Sequence, residues 1–375
     1  MSAAPSARLA SLDAFRGFAI ASMVLVNNPG DWGHIHPPLA HAEWNGWTFT
    51  DLVFPFFLFA AGVSMAISLE RRTRDGDVSG KLMRSIARRA AVIFLVGLAL
   101  NLFPGFDLST VRIPGVLQRI ALCILIAAPF AIYLRTKSIV LWIAILLAAY
   151  TVLMLFVPVP GPDGVVAAGV LEPGRDFGAW LDRQILSGHL WSKSRTWDPE
   201  GLVSTLPAAC SVLFGVLAGR WLLAARTGLG TSAELLAAGI GALGTGLVLD
   251  VVLMPINKNL WTPSFCIFMT GWSLVVFAAF HALMDSAPSL RFRTLARRAL
   301  LPLTIYGMNA LFIFALSGFV ARLIGMGGVK SWLYAPLQAL PVAPVNASLA
   351  FAIAFDLAMF AVAWAMWRKQ WFVKA

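Results

Sequence analysis

The chain has 375 residues, of which 59% are hydrophobic and only 13% charged, with a formal net charge of +11. An ordinary soluble domain is about 25% charged, so this composition excludes a soluble globular enzyme and indicates an integral membrane protein, as does the mean hydropathy of +0.78. The basic excess would suggest nucleic acid in a soluble chain; here it sits in short loops between apolar runs, and no nucleic-acid partner is expected.

A membrane span needs about 20 mostly apolar residues. That requirement predicts an all-α polytopic protein of about ten transmembrane helices, near 12–28, 49–69, 90–104, 114–134, 138–157, 202–223, 231–254, 263–284, 299–323 and 346–366. The N-terminal stretch MSAAPSARLASLDAFRG lacks the order of a cleavable signal, so the first span is expected to stay as an anchor. Lys and Arg fall mostly on one set of loops, from Arg8 through the segment 70–92 and Arg226 to Arg298 and Lys374. The positive-inside rule then places both termini in the cytoplasm. The protein is expected in a bacterial inner membrane, with the opposite loops facing the periplasm.

The first span opens on Asp13 and Arg16, three residues apart on one helical face. They read either as an ion pair at the membrane boundary or as an arginine facing a cavity to hold an anion. The span ends at Asn27 and Asn28, followed by Pro29 and Gly30. The next stretch, HAEWNGWTFTDLVFPFFLFAAGVS from His41 to Ser64, is polar in its first half and soluble in hydrocarbon in its second. Thr48 and Asp51 form a helix-start pair just before the apolar run. This arrangement holds His41 a few residues outside the mouth of a span, beside Trp44, Asn45 and Asp51. An imidazole with its ordinary pKa near 6.5 can accept a proton at neutral pH.

The segment 70–92 reads as a basic, partly amphipathic loop that touches anionic lipid or collects an anionic ligand. Gln118 and Arg119 lie just inside the fourth span, where a polar pair is costly unless it lines a cavity. The segment 158–201 is one long external loop whose DFGAWLDRQILS portion has the spacing of a short interfacial helix; it serves as a lid or as a solvated connector. PINKNLWTPS, at 255–264, is a tight external turn carrying Lys258. Asn309 and Asp356 fall near the midplane of the last two spans, within reach of a mutual hydrogen bond. Cys123, Cys210 and Cys266 each sit in an apolar run and read as packing residues, with neither a disulfide nor a zinc pattern. His34, His36 and His41 lack the company a metal site needs, and no metal is expected. Composition and spacing stop at a polar external site around His41, with catalysis and transport both open.

Six stretches, RLASLDAFRGFAIASMVLVNN (8–28), HAEWNGWTFTDLVFPFFLFAAGVS (41–64), RIPGVLQRIAL (112–122), WDPEGLVSTL (197–206), PINKNLWT (255–262) and YGMNALFIF (306–314), resemble the heparan-α-glucosaminide N-acetyltransferase family of transmembrane acyltransferases. The resemblance implies one transmembrane acyltransferase domain over 1–375, interrupted by the external loop at 158–201. Against the animal lysosomal enzymes, the chain is expected to lack a luminal N-terminal region and a leading span, as a ten-helix bacterial relative would. The implied reaction moves the acetyl group of cytoplasmic acetyl-CoA to the amine of a glucosamine-like sugar outside. By matching motifs, His41 is the implied essential base or transient acetyl carrier. Asn27 is the implied oxyanion or substrate-orienting donor, and Asp51 is expected to orient His41. Charge and position nominate Arg16, Arg88, Arg89, Arg298, Gln118 and Arg119 for acetyl-CoA, and Trp44, Asn45, Lys258 and Asn309 for the acceptor. Family likeness also suggests a homodimer in the lipid bilayer. The alternative is an amino-sugar carrier without acyl transfer, although the inverted repeats usual in carriers are not evident.

Overall fold

A computed structural model describes residues 9–225 and 228–373; Arg8, Arg226 and Lys374 lie outside the described residues. The helices run in the order α1 (Ala10–Asn27), α2 (Phe49–Arg74), α3 (Ser79–Leu102), α4 (Val116–Tyr133), α5 (Thr136–Phe156), α6 (Phe177–Ile185) and α7 (Thr205–Ala224). They continue as α8 (Leu229–Val252), α9 (Pro263–His281), α10 (Leu290–Ala299), α11 (Leu301–Met308), α12 (Ala310–Gly325), α13 (Val329–Gln338) and α14 (Pro344–Arg368). A two-residue antiparallel pairing of Val159–Pro160 with Val166–Ala167 is the sheet structure among the described residues. Among the described residues, nine helical segments are long and apolar enough to cross a membrane, and the bent pair α11–α12 brings the number to ten if it is one span. The chain is an all-α polytopic membrane protein.

Three expectations change. The segment 70–92 is mostly helix, because α2 runs on to Arg74 and α3 begins at Ser79. Long Lys and Arg side chains let a helix continue past the apolar boundary, since their stems pack along the surface while their charges reach water. The ninth span is not continuous: α11 and α12 meet at an angle of 81°. The break falls on Asn309, whose side chain serves a different segment. Its amide donates to Trp371 O at 3.0 Å and accepts from Val373 N at 2.9 Å. The expected Asn309–Asp356 bond is not made; the Tyr306 hydroxyl donates to Asp356 Oδ1 at 2.7 Å instead.

Helices approach closely where glycine removes the side chain. A Cβ on Gly62 of α2 would lie 2.0 Å from Val212 O of α7, and one on Gly307 of α11 would lie 1.8 Å from Asp13 O of α1. Small residues at such crossings let two backbones pack directly, the usual solution where lipid supplies no hydrophobic drive. Between α1, α2 and α9, Phe15 packs on Phe56 at 5.4 Å and on Phe277 at 5.5 Å. The three cysteines are free and buried, as packing residues should be. Outward faces of α5 and α8 expose Leu141, Val152, Val248 and Val251 to what would be lipid.

Loop contacts sort the connections onto two faces. On one face Lys258 meets His41, Arg112 meets Asp198, and Trp44 meets Leu171. On the other, Ser11 N donates to Asp285 Oδ2 at 3.0 Å, and Arg297 pairs with Asp285 at 2.8 Å. The Arg-rich end of α2, the start of α3 and all of α10 share this second, basic face.

Candidate active site

The His41 loop is shaped by its neighbours. Gly46 N donates to Ile256 O at 2.7 Å and Asn257 Nδ2 to Asn45 Oδ1 at 3.1 Å, tying the loop to the turn before α9. Trp44 Nε1 donates to Leu171 O at 2.8 Å, while its ring meets Trp197 edge to face at 5.1 Å. The segment 157–204 is therefore docked against the site, with Ile113 N donating to His189 O at 3.0 Å as a further tie.

Asp51 stands in the first turn of α2 and is 1% exposed. Its Oδ2 accepts from Thr48 N at 3.0 Å and from Ala42 N at 3.1 Å, which caps the helix and pins the loop. Its Oδ1 lies 2.7 Å from His41 Nδ1. A carboxylate only accepts, so Nδ1 carries the hydrogen and Nε2 presents a lone pair. The imidazole itself is 45% exposed at this face. One carboxylate thus caps a helix and fixes a tautomer at once.

Lys258 Nζ lies 3.1 Å from both ring nitrogens of His41 and 3.8 Å from Asp51 Oδ1. Burial pushes the Lys258 ammonium below its usual range, and Asp51 and Glu200 offset this only in part. Burial alone would raise the Glu200 carboxyl, but Arg112, Arg119 and Lys258 together hold it below the usual range. Arg112 clamps Asp198 through Nε at 2.8 Å and reaches Glu200 through Nη2 at 2.5 Å. Arg119, 1% exposed, lies over the Trp261 ring at 5.4 Å and donates to Gly201 O at 3.1 Å and to the Ser204 hydroxyl. Its Nε and the Gln118 Nε2 are buried without a partner among the described residues. Two unpaired donors thus lie within the helix mouth.

The structure brings together His41, Asp51, Trp44, Asn45 and Lys258, with Arg119 close to Glu200 and Lys258 and Gln118 beside it in sequence. Asn27 ends α1 exposed and makes no hydrogen bond to His41, Asp51 or Lys258 among the described residues. Asn309 does not join them; it is 2% exposed and engaged with the segment 371–373. Arg16 lies 3.8 Å from Asp13, as the ion-pair reading expects. Arg88, Arg89 and Arg298 are exposed on the basic side of the bundle. The nominated acetyl-CoA residues therefore divide between the two faces and cannot all touch one phosphate. The sequence reading assigned no role to Arg112, Asp198 or Glu200. The signal was WDPEG at 197–201, two carboxylates in a loop opposite an otherwise isolated arginine.

Behind this cluster, Asp182 of α6 is 2% exposed and accepts from Leu202 N at 2.9 Å. Burial, with Asp198 and Asp176 adding to it, pushes its carboxyl up to about 7 against the help of the Leu202 N–H. The folded state thus favours the protonated form. That contribution to stability is complete below the unfolded pKa of 3.8 and is lost as pH rises through about 7. Asp182→Asn keeps an acceptor for Leu202 and cannot ionise. Its unfolding midpoint should therefore gain on wild type from about pH 4 to about pH 7 and hold a constant lead above that. A lead that does not change with pH would show that Asp182 titrates normally.

Fold and site define a polytopic membrane protein that holds an imidazole at one face of its bundle, backed by a buried carboxylate and flanked by an ammonium. The sequence model described as heparan-alpha-glucosaminide N-acetyltransferase, catalytic, matches residues 8–238, and the chain belongs to that family. It is 29% identical over 330 residues to the heparan-alpha-glucosaminide N-acetyltransferase of Mus musculus, and 28% over 333 residues to that of Homo sapiens. Each alignment covers 74% of this chain and 49% of the relative, so the chain spans about half the length of the curated relatives it matches. His41, Asp51, Arg119 and Glu200 fall within the matched region; Lys258 lies beyond it.

Proposed function

We propose that the chain transfers the acetyl group of acetyl-CoA to the amine of a glucosamine-like sugar, on the face that carries His41. The observation that carries this reading is the His41–Asp51 pair, whose 2.7 Å contact puts the ring hydrogen on Nδ1 and leaves the lone pair on Nε2 to take a proton. The acceptor amine must lose a proton as its nitrogen attacks the thioester carbon, and a positioned base supplies about 10²–10⁴-fold in rate. Asp51 then steadies the imidazolium. Asn27, on the same face, is the side-chain amide proposed to donate to the developing oxyanion. The unpartnered Arg119 Nε and Gln118 Nε2 are donors for the polar groups of acetyl-CoA. Trp44 and Asn45 border the acceptor. Direct transfer is favoured because it asks only for geometry.

The basic face is proposed to be cytoplasmic, where Arg16, Arg88, Arg89 and Arg298 would meet the phosphates of arriving acetyl-CoA. His41 would then face the periplasm of a bacterial inner membrane. The test uses purified protein in detergent with acetyl-CoA and glucosamine, measuring free thiol and acetylated sugar. Stoichiometric appearance of both is expected. Sugar uptake by proteoliposomes without acetyl-CoA, and without thiol release, would instead identify a carrier.

A further inference from the structure

The acceptor amine in this reaction must come within hydrogen-bond distance of His41 Nε2, and one amine is already there. Lys258 Nζ, on the turn between α8 and α9, stands 3.1 Å from that nitrogen. Its side chain is 17% exposed, so it is held in the site and not waving in solvent. We propose that Lys258 is a self-acetylation site, taking the acetyl group when the donor is bound and no acceptor sugar is present. The proposal rests on the acetyl-transfer reading above, and deepens it by identifying a second substrate of the same site.

The chemistry balances with the groups already in place. With its ammonium proton first released to solvent, the neutral Lys258 Nζ attacks the thioester carbonyl carbon, forming the N–C bond while the C–S bond breaks. His41 Nε2 takes the proton from Nζ and returns it to the departing thiolate, so free CoA leaves and no electron is gained or lost. Intramolecular attack by a well-oriented group carries a large advantage in effective concentration. Two carboxylates, Asp51 and Glu200, favour the ammonium, while burial and the Arg119 charge oppose it. Burial is the largest of these influences, so a neutral amine is easier to reach here than on an exposed lysine. The product is an uncharged amide, which suits a largely buried position better than an ammonium does. It cannot pass the acetyl group on as a thioester would, and it occupies the approach to Nε2. An idle enzyme would therefore close its own site, and an acceptor sugar would protect it by filling the same place.

The full chain, purified in detergent, is incubated with acetyl-CoA labelled in the acetyl group, with and without saturating glucosamine. Labelled peptides are mapped by mass spectrometry, and acetylated sugar is measured in parallel. Without sugar, label is expected to accumulate on Lys258 and resist hydroxylamine, while residual transferase activity falls in step; glucosamine should suppress both effects. His41→Ala should slow the labelling by about 10²-fold or more. Acetylated sugar with an unlabelled Lys258 would overturn the proposal and leave the transfer reading standing. Equal labelling in His41→Ala, or hydroxylamine-labile label on His41 in place of Lys258, would overturn it too. Neither acetylated sugar nor labelled protein would remove the transfer reading, and this proposal with it.

Discussion

Asp51→Asn should lower kcat by about 10²–10⁴-fold with little change in KM, although the residue never touches a substrate. The reason is a count of hydrogen-bond donors. Asp51 Oδ2 already accepts from Thr48 N and Ala42 N, at 3.0 and 3.1 Å. An asparagine has one carbonyl oxygen, and those two backbone N–H groups claim it. Its NH2 group must then face His41 Nδ1, which can only accept from it. The ring hydrogen moves to Nε2, the nitrogen that has to serve as the base. Because the cap on α2 survives, the variant should fold, and the loss should appear in turnover.

His41→Ala should reach the same floor, and the double variant should be no worse than either single one, since the pair acts as a unit. Steady-state kinetics of the three proteins with acetyl-CoA and glucosamine decide the matter. Wild-type turnover in Asp51→Asn would mean that Asp51 only caps the helix.

That double duty explains why this part of the site was legible in the sequence. Thr48 and Asp51 at helix-start spacing, with His41 ten residues before Asp51, describe a local fold that needs no distant partner. The ten spans were legible for a similar reason, because lipid requires long apolar runs wherever the chain crosses. What stayed hidden depends on long-range packing. Charge and position nominate Lys258 for the acceptor, but nothing in its turn announces direct contact with a histidine 217 residues away. Asn309 looked like a polar group at mid-membrane. Its partners at Trp371 and Val373 come from the segment after α14, which folds back, a contact no periodicity encodes. The 81° bend between α11 and α12 was missed because an asparagine in an apolar helix does not by itself require a break. The RIPGVLQRIAL stretch gives no hint that Arg112 pairs with carboxylates more than 80 residues further along.

Arg112→Met should destabilise the folded protein by about 3–5 kcal/mol, a large share of the roughly 5–15 kcal/mol that holds a typical domain together. Arg112 is a quarter exposed, whereas the side chains it serves are sealed: Asp198 is 0% exposed and Glu200 is 9%. Removing the guanidinium leaves two buried carboxylates facing each other, and Arg119 and Lys258 are the cations left near Glu200. Charge in a closed pocket without its counterion costs far more than a surface pair gains. Neutralising the partners tests this directly. Arg112→Met combined with Asp198→Asn and Glu200→Gln should recover most of the loss, because the orphaned charges are gone and the volumes nearly unchanged. Thermal unfolding midpoints in one detergent, for the single and combined variants, provide the comparison. If Arg112→Met unfolds with wild type, the cluster is solvated and the loop is not anchored there. If the combined variant is as weak as Arg112→Met alone, the guanidinium contributes by packing, not by charge.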